Sequence, residues 1–449
     1  MRKNLFRFGN QADMKTDIMP VGIERGCFDG LNIAEFCRDR ETPFYLLSER
    51  KIAAAFKRFT AGIDVPRKQV FYSLKTNYQT PVLHALLDAG CGVEVYHRME
   101  LEIALAAGWE GSRIIMDGPG MNRSDLQAAV ENRVSLINIE SWLEMVQLNS
   151  LAGEAGIVQP IGIRVRFGFR TFPGFLGGVV ARRGKPFGIP LSALGRIFRD
   201  IKDLKHLLPV CVSGHIPLPA ALPRHFAGLI RGLFSAATLA RSYGLPIDRI
   251  DIGGGYPPDD VVRLRLLSAF RNLPMLSPII RSPKGGTGPV LKTVSRAYQE
   301  NARGHSFEPL LILEPGRCLV DDAMVVVGRV LQVEDRTALV DISTVTELAY
   351  LPAFYARTIS VLNARDGSPR SYRLCGPTLN PFDVIDTRLK CPTLRSGDLI
   401  VISSVGAYCA NQSRSWMLPR CACYMIDRQG SVRLSRRKET AADILRTQC

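Results

Sequence analysis

The sequence predicts an α/β protein: a (β/α)8 TIM-like barrel followed by a C-terminal β-sandwich or β-barrel domain. Two patterns lead there. From about residue 43, short apolar runs alternate with amphipathic helical patterns, and strands alternating with helices over such a length make parallel βα units. After about residue 320 strand patterns follow one another without long helices between them, which describes a separate β domain. At 449 residues the chain exceeds one compact core and suits two domains.

Candidate strands in the first part are Pro43–Ser48, Val70–Lys75, Gly92–His97, Arg113–Asp117, Ser135–Glu140, Ile161–Phe167, Leu208–His215, Arg249–Gly253 and Leu310–Glu314. Pro81–Gly90 and Met99–Gly108 carry helical patterns that end on glycine, a common stop signal. Ser124–Val130 and Pro223–Tyr243 continue the series, the second opening on a proline that suits a first helical position. Roughly eight such units close a barrel; an open doubly wound sheet is the alternative. Pro257–Gly304 is poor in strands and reads as a long excursion between the last two barrel strands. In the second part Ala323–Val333, Thr337–Ile342, Asp398–Ser403 and Cys421–Ile426 read as strands. The expected division is a barrel over 43–320, with 1–42 and 321–449 forming the β domain.

Composition excludes several classes. Hydrophobic residues make up 46% and charged residues 22%, an ordinary globular balance. No apolar run is long enough to span a membrane. Met1 to Pro20 is polar and lacks the apolar stretch of a signal peptide, so a cytoplasmic protein without a membrane partner is expected. The net charge of +16 is spread from Arg2 to Arg446, and no nucleic-acid-binding motif accompanies it. That pattern implies a scattered basic surface, with some arginines serving anionic ligands. Of the 11 cysteines, most sit in apolar runs, such as Cys91, Cys211 and Cys318, as reduced core residues do. Cys421 and Cys423 form a C-x-C pair without matching ligands, so no metal is expected.

Four segments carry chemistry. In VFYSLKTN, Lys75 stands at the C-terminal end of an apolar strand, the end that faces a barrel's active-site mouth. An amine there is a candidate for Schiff-base chemistry, against the plain alternative of a solvated strand-end lysine. In DIGGGYP, Gly253, Gly254 and Gly255 let backbone N–H groups approach an anion such as a phosphate; an ordinary turn is the alternative. In LILEPGR, Glu314 ends a buried strand and needs a cationic or donor partner, while Gly316 and Arg317 could join the phosphate site. A local Glu–Arg pair would also explain that segment. His215 ends VCVSGH, where a neutral imidazole could lie on a flat ring or serve the structure alone.

Together these segments resemble the fold-type III decarboxylases that use pyridoxal 5′-phosphate, the family of ornithine, diaminopimelate and biosynthetic arginine decarboxylases. The resemblance runs from about Pro43 to Met425. It rests on Tyr72, Lys75 and Asn77, Glu94 with Glu100–Leu101, Gly253–Gly255, Glu314–Arg317, Gly376–Thr378 with Asp383, and Gly406–Tyr408, in the family's order. It implies that Lys75 holds the cofactor as a Schiff base and that His215 stacks on its ring. Gly253, Gly254, Gly255, Gly316, Arg317 and Tyr408 would then surround the phosphate, and Glu314 would pair with the pyridine nitrogen. A carboxylate at that nitrogen keeps the ring a strong electron sink, which favours decarboxylation. The resemblance also implies a homodimer with shared active sites and an amino-acid substrate touched by Asn380 and Asp383.

Three positions depart from the family pattern. Leu379 follows Gly-Pro-Thr where relatives commonly carry a proton-donating cysteine, and Asn380 replaces an acid. Pro217 and Leu218 follow His215 where relatives have a phosphate-binding serine. Leu351 precedes Pro352 where diaminopimelate decarboxylases place an arginine. The expected activity is decarboxylation of an amino acid or a derived intermediate through Lys75. The alternatives are a racemase or epimerase on the same scaffold, and a non-catalytic binding protein derived from one.

Overall fold

The computed structural model describes residues 23–24, 26–167, 187–216, 222–259, 263–265, 279–281, 286–348, 355–362 and 368–448. Eight parallel strands close into a barrel: Lys68–Ser73, Gly92–Val95, Ile114–Asp117, Leu136–Ile139, Gln159–Arg166, Leu207–Ser213, Arg249–Asp251 and Leu310–Leu313. The ring shuts where Leu313 pairs in register with Val70. Most strand residues are apolar and buried on both faces, as parallel strands covered by helices must be. Phe71, Ile115, Leu136, Val210, Cys211 and Ile312 form a cluster of buried side chains contributed by different barrel strands.

Local chemistry sets the helices between the strands. Asn122 and Asp125 form a reciprocal capping box at Arg123–Glu131, and Ser141 with Glu144 does the same for Trp142–Glu154. Each cap satisfies backbone N–H groups that the first turn leaves without partners. Gly90 and Gly108 follow their helices with positive φ, where a side chain would be strained.

A second sheet runs in the order Val384–Cys391, Arg370–Cys375, Thr337–Val340, Met324–Glu334, Phe44–Ser48, Ala422–Ile426, Val432–Arg436. Leu399–Ile402 pairs with both Met324–Glu334 and Ile359–Leu362. Phe28, Ile33 and Phe36 pack under this sheet with Phe44, Val325, Val327 and Val401.

Two expectations change. Strand 44–48 belongs to the second sheet, antiparallel to Met324–Glu334 and parallel to Ala422–Ile426. Its Ser48 then caps the barrel helix Glu49–Ala61, so the barrel's circuit begins one element later than the sequence suggested. The excursion after residue 257 contains a long helix, Thr287–His305, whose Val290, Leu291, Val294, Ala297 and Tyr298 are buried at helical spacing. Its Gly-Thr-Gly-Pro start hid it. Two short strands, Arg263–Arg265 and Ile279–Arg281, precede it.

Candidate active site

Polar residues at or just past the C-terminal ends of the barrel strands meet at the mouth. After Ser73 the chain makes a single 3-10 turn, Leu74–Thr76, that carries Lys75. Both outer residues of the Tyr-x-x-Lys-x-Asn pattern hold this turn. The Tyr72 hydroxyl donates to the Asn77 carbonyl at 3.0 Å, and the Asn77 amide donates to the Gly406 carbonyl at 2.8 Å. From the second sheet's side, the Tyr408 N–H donates to the Thr76 carbonyl at 2.7 Å, and Asn411 reaches the Lys75 carbonyl at 3.3 Å. Tyr408 adopts a left-handed φ of 68°, an unusual conformation for a tyrosine.

Lys75 Nζ lies 2.9 Å from both carboxylate oxygens of Glu94, which is nearly fully buried, while the lysine side chain is 46% exposed. Desolvation at the mouth works against the ammonium charge. Glu94, followed by Glu314, more than offsets it and holds Lys75 above the ordinary range.

Deeper in the barrel, Asp117, Asp251 and Glu314 bring carboxylate oxygens within 4.8 Å of one another, all buried. Arg164 answers part of this charge, donating to Asp117 at 2.6 Å and pairing with Glu140 at 3.2 Å. Asp251 accepts from the Asn138 amide and the Gly253 N–H, each at 2.9 Å. Glu314 Oε1 is buried with no hydrogen-bond partner. Burial first, and Asp117 second, raise Asp251 to about 7. Burial, then Asp251 and Asp117, push Glu314 well above the usual carboxylate range. Three buried acids around one guanidinium cannot all be ionised at neutral pH.

The glycine run and the Glu314–Arg317 turn join at one wall. Glu314 N–H donates to the Gly253 carbonyl at 2.9 Å. A Cβ on Gly253 would meet His215 Nδ1 at 2.3 Å, and one on Gly254 would meet the Glu314 carbonyl at 2.7 Å. Gly316 would strike Thr76 Oγ1 at 2.2 Å. Gly255 has φ of 93°. Arg317 pairs with Asp321 at 3.2 Å, and its guanidinium sits 5.2 Å over the Tyr408 ring. The structure thus brings Lys75, His215, the three glycines, Glu314, Gly316, Arg317 and Tyr408 to neighbouring strand ends.

His215 Nδ1 accepts from the Gly254 N–H at 3.3 Å, which assigns the proton to Nε2. Burial first, then Arg164 and Lys75, lower its pKa to about 3, so the ring is neutral at physiological pH. The unfolded chain protonates this histidine near 6.5. Stability is therefore present above that pH and lost as pH falls from 6.5 towards 3. A His215→Asn variant is expected to lose this acid-sensitive limb. Urea midpoints measured between pH 7 and pH 4 should fall less steeply for the variant, and parallel slopes would refute the assignment.

Two candidates sit elsewhere. The Asp383 carboxylate is consumed by five hydrogen bonds, from Ser343 Oγ, Thr344 N and Oγ1, and Thr378 N and Oγ1. It is buried and anchors the loop that follows Arg370–Cys375, so it has no oxygen left to offer a substrate in this arrangement. Asn380 Oδ1 accepts from the Phe382 N–H at 2.9 Å within the same loop, whose Leu379 and Phe382 are 86% and 73% exposed. The positions Pro217, Leu218, Leu351 and Pro352 lie outside the described residues. Reading the sequence missed Arg164, Asp117, Asp251 and Asn138. Their one signal was a polar residue inside an otherwise apolar strand, two of them at a strand's last position.

These residues fit pyridoxal phosphate. The unpartnered Glu314 oxygen, crowded by other acids, suits a protonated ring nitrogen; the neutral His215 suits a ring face; and glycines that tolerate no Cβ leave backbone N–H groups near the lysine. Fold and site together suit a barrel enzyme that works through a carbonyl cofactor. Residues 49–321 match the family described as pyridoxal-dependent decarboxylase, pyridoxal binding domain, and the chain belongs to that family. It is a PLP-dependent amino-acid decarboxylase.

Relatives match most of the chain's length. Diaminopimelate decarboxylase of Pseudomonas aeruginosa is 26% identical over 425 residues, covering 93% of this chain and 95% of that protein. L-glutamyl-[BtrI acyl-carrier protein] decarboxylase of Niallia circulans is 27% identical over 442 residues, covering 94% and 96%. The fold is also that of diaminopimelate decarboxylase from M. jannaschii in complex with L-lysine, with a TM-score of 0.82 at 20% identity, covering 96% of this chain and 98% of that one.

Proposed function

We propose that this decarboxylase holds its cofactor on Lys75 and acts on an amino acid whose far end carries no free charge. When bound, pyridoxal phosphate supplies a carbonyl for the amine and a ring that takes up the negative charge left at Cα. Glu314 would hold the pyridine nitrogen and keep it protonated; the observation that carries this is its buried, unpartnered Oε1 beside two other acids. His215 would cover one ring face. Gly253, Gly254, Gly255, Gly316, Arg317 and Tyr408 would surround the phosphate. Glu94 steadies the Lys75 ammonium. Because leucine cannot transfer a proton, Lys75 is the source we assign for the proton that replaces the lost carboxylate.

The substrate's far end follows from the departures. Asn380 stands where relatives grip a substrate amine with an acid, and Leu379 is apolar. An amide or thioester end suits such a pocket better than the free ammonium and carboxylate of diaminopimelate. The glutamyl carrier protein named for one relative is a substrate of that kind. We further propose a homodimer in which the exposed loop around Leu379 reaches a shared site.

The test is incubation of cofactor-loaded protein with free amino acids and their amide and thioester derivatives in heavy water, followed by mass spectrometry. A product lighter by carbon dioxide, with one deuterium at Cα, is expected from a derivative with a neutral far end. Deuterium uptake with the carboxylate retained would overturn the assigned reaction. Preference for diaminopimelate or lysine would overturn the substrate class.

A further inference from the structure

The hairpin that carries the Gly376–Asp383 loop has a cationic face that the active site does not use. Its strands are Arg370–Cys375 and Val384–Cys391. Tyr372 opposes Leu389 on the inner face, with Tyr372 buried and Leu389 packed against the core. Lys390 opposes Ser371 on the outer face, and Arg373 and Arg388 are exposed beside it. Arg370 is exposed at the hairpin's start. Arg336 is exposed on the neighbouring turn, where its carbonyl accepts from the Arg373 N–H at 2.7 Å.

None of these five cations forms an ion pair among the described residues. The hairpin's two acids do not answer them. Asp383 is buried and fully hydrogen-bonded, and half-buried Asp386 accepts from the Arg388 backbone N–H. Glu334 and Asp335 lie exposed at the Arg336 turn. Arg373, Arg388 and Lys390 thus gather like charge on the hairpin's outer face with no ion pair to offset it, an arrangement that costs stability in the free protein. Near the sheet's opposite edge, by contrast, Arg428 pairs with Glu49 and Asp88, Arg437 with Asp443, and Arg420 with Glu439.

We propose that this face docks an acidic carrier protein that delivers the substrate as an aminoacyl thioester. The inference rests on the decarboxylase reading above and extends it to the partner. Charge complementarity selects an acidic protein surface, and the cationic face itself presents no exposed aromatic on which a nucleic-acid base could stack, Phe382 standing in the loop beyond it. The hairpin leads into the loop that the proposed dimer brings to a shared site, so a carrier seated along it is directed towards that site. The chemistry then specifies the attachment. The α-carboxylate must be free to leave, so the thioester engages a second, side-chain carboxyl, as in a γ-glutamyl or β-aspartyl group. One C–C bond breaks, carbon dioxide departs, Cα takes one proton, and the thioester stays intact; no oxidant or reductant is needed.

The experiment uses the cofactor-loaded full chain and two probes: a type II acyl carrier protein bearing glutamate through its γ-carboxyl on pantetheine, and the same γ-glutamyl group on free pantetheine. The triple variant Arg373→Gln, Arg388→Gln, Lys390→Gln is compared with wild type. KM for the carrier-bound probe should rise on the order of tenfold in the variant with kcat unchanged, while the pantetheine probe is turned over identically. Added salt should raise KM for the carrier-bound probe in wild type and barely affect the variant. Equal KM and equal salt dependence in the two proteins would overturn the docking face. Turnover of free amino acids with no gain from the carrier would overturn the partner while leaving the decarboxylase intact. Absence of carbon dioxide from every compound would overturn the underlying reading instead, and fluorescence anisotropy of labelled carrier protein, which needs no turnover, would still decide the face: charge-dependent binding supports it, and binding indifferent to the triple substitution removes it.

Discussion

Lys75→Arg should leave a folded protein that has lost roughly 10⁴-fold or more in turnover. Arginine keeps a positive charge against Glu94, which Lys75 contacts through both carboxylate oxygens. It is never deprotonated in proteins, so it cannot serve as a nucleophilic amine. The substitution therefore separates two roles that Lys75→Ala would remove together. If Lys75 only balances Glu94, the variant stays active and its cofactor behaves as in wild type. If Lys75 is the amine, thermal unfolding stays close to wild type while activity disappears. Borohydride should fix the cofactor's mass on the peptide containing Lys75 in wild type alone. An arginine variant within tenfold of wild-type kcat would reject covalent attachment at this residue.

How much of this was legible in the sequence depends on what each residue does there. The barrel strands were readable because a parallel strand is apolar on both faces, so a short run such as VFYS or LLIL announces itself. The same property misplaced Phe44–Ser48. Its five residues are all buried, but nothing in a buried apolar run says which sheet buries it. The motifs located Lys75, Glu314 and the glycines because those residues are consecutive or nearly so. Asp383's internal bonds were not legible, because a sequence shows a carboxylate and not how many donors already occupy it. Arg164 stayed hidden for a related reason: it alternates inside a strand with Ile163 and Val165, and its meaning comes from Asp117, at the end of another strand, and Glu140, just past the end of a third. Pairing across a barrel is set by closure of the ring, which no local pattern encodes. The cationic hairpin face was equally invisible, since a charge of +16 spread along the chain looks uniform until the hairpin gathers Arg373, Arg388 and Lys390 on its exposed side.

Glu314→Gln should lower turnover by roughly 10²–10³-fold, the usual cost of removing one preorganised charge partner, while leaving the cofactor-free protein as stable as wild type or more so. The opposite signs follow from the carboxylate's surroundings. Burial and the neighbouring Asp251 and Asp117 raise its pKa far above that of the unfolded chain. The folded state therefore favours the protonated form, and this contribution to stability is lost as pH rises above the ordinary glutamate range, because a buried acid must then either keep its proton or ionise among other acids. Glutamine has the same shape and no charge, so it removes that loss. The loaded enzyme gains nothing from the exchange, since an amide cannot hold a ring nitrogen protonated as a carboxylate does. Thermal unfolding of the cofactor-free protein at pH 8 should favour the variant, with the gap narrowing as pH falls towards 5. Once both proteins are loaded with cofactor, turnover should favour wild type at every pH. A variant that lost stability and activity in parallel would make Glu314 a structural residue and would remove the main support for a protonated ring at this site.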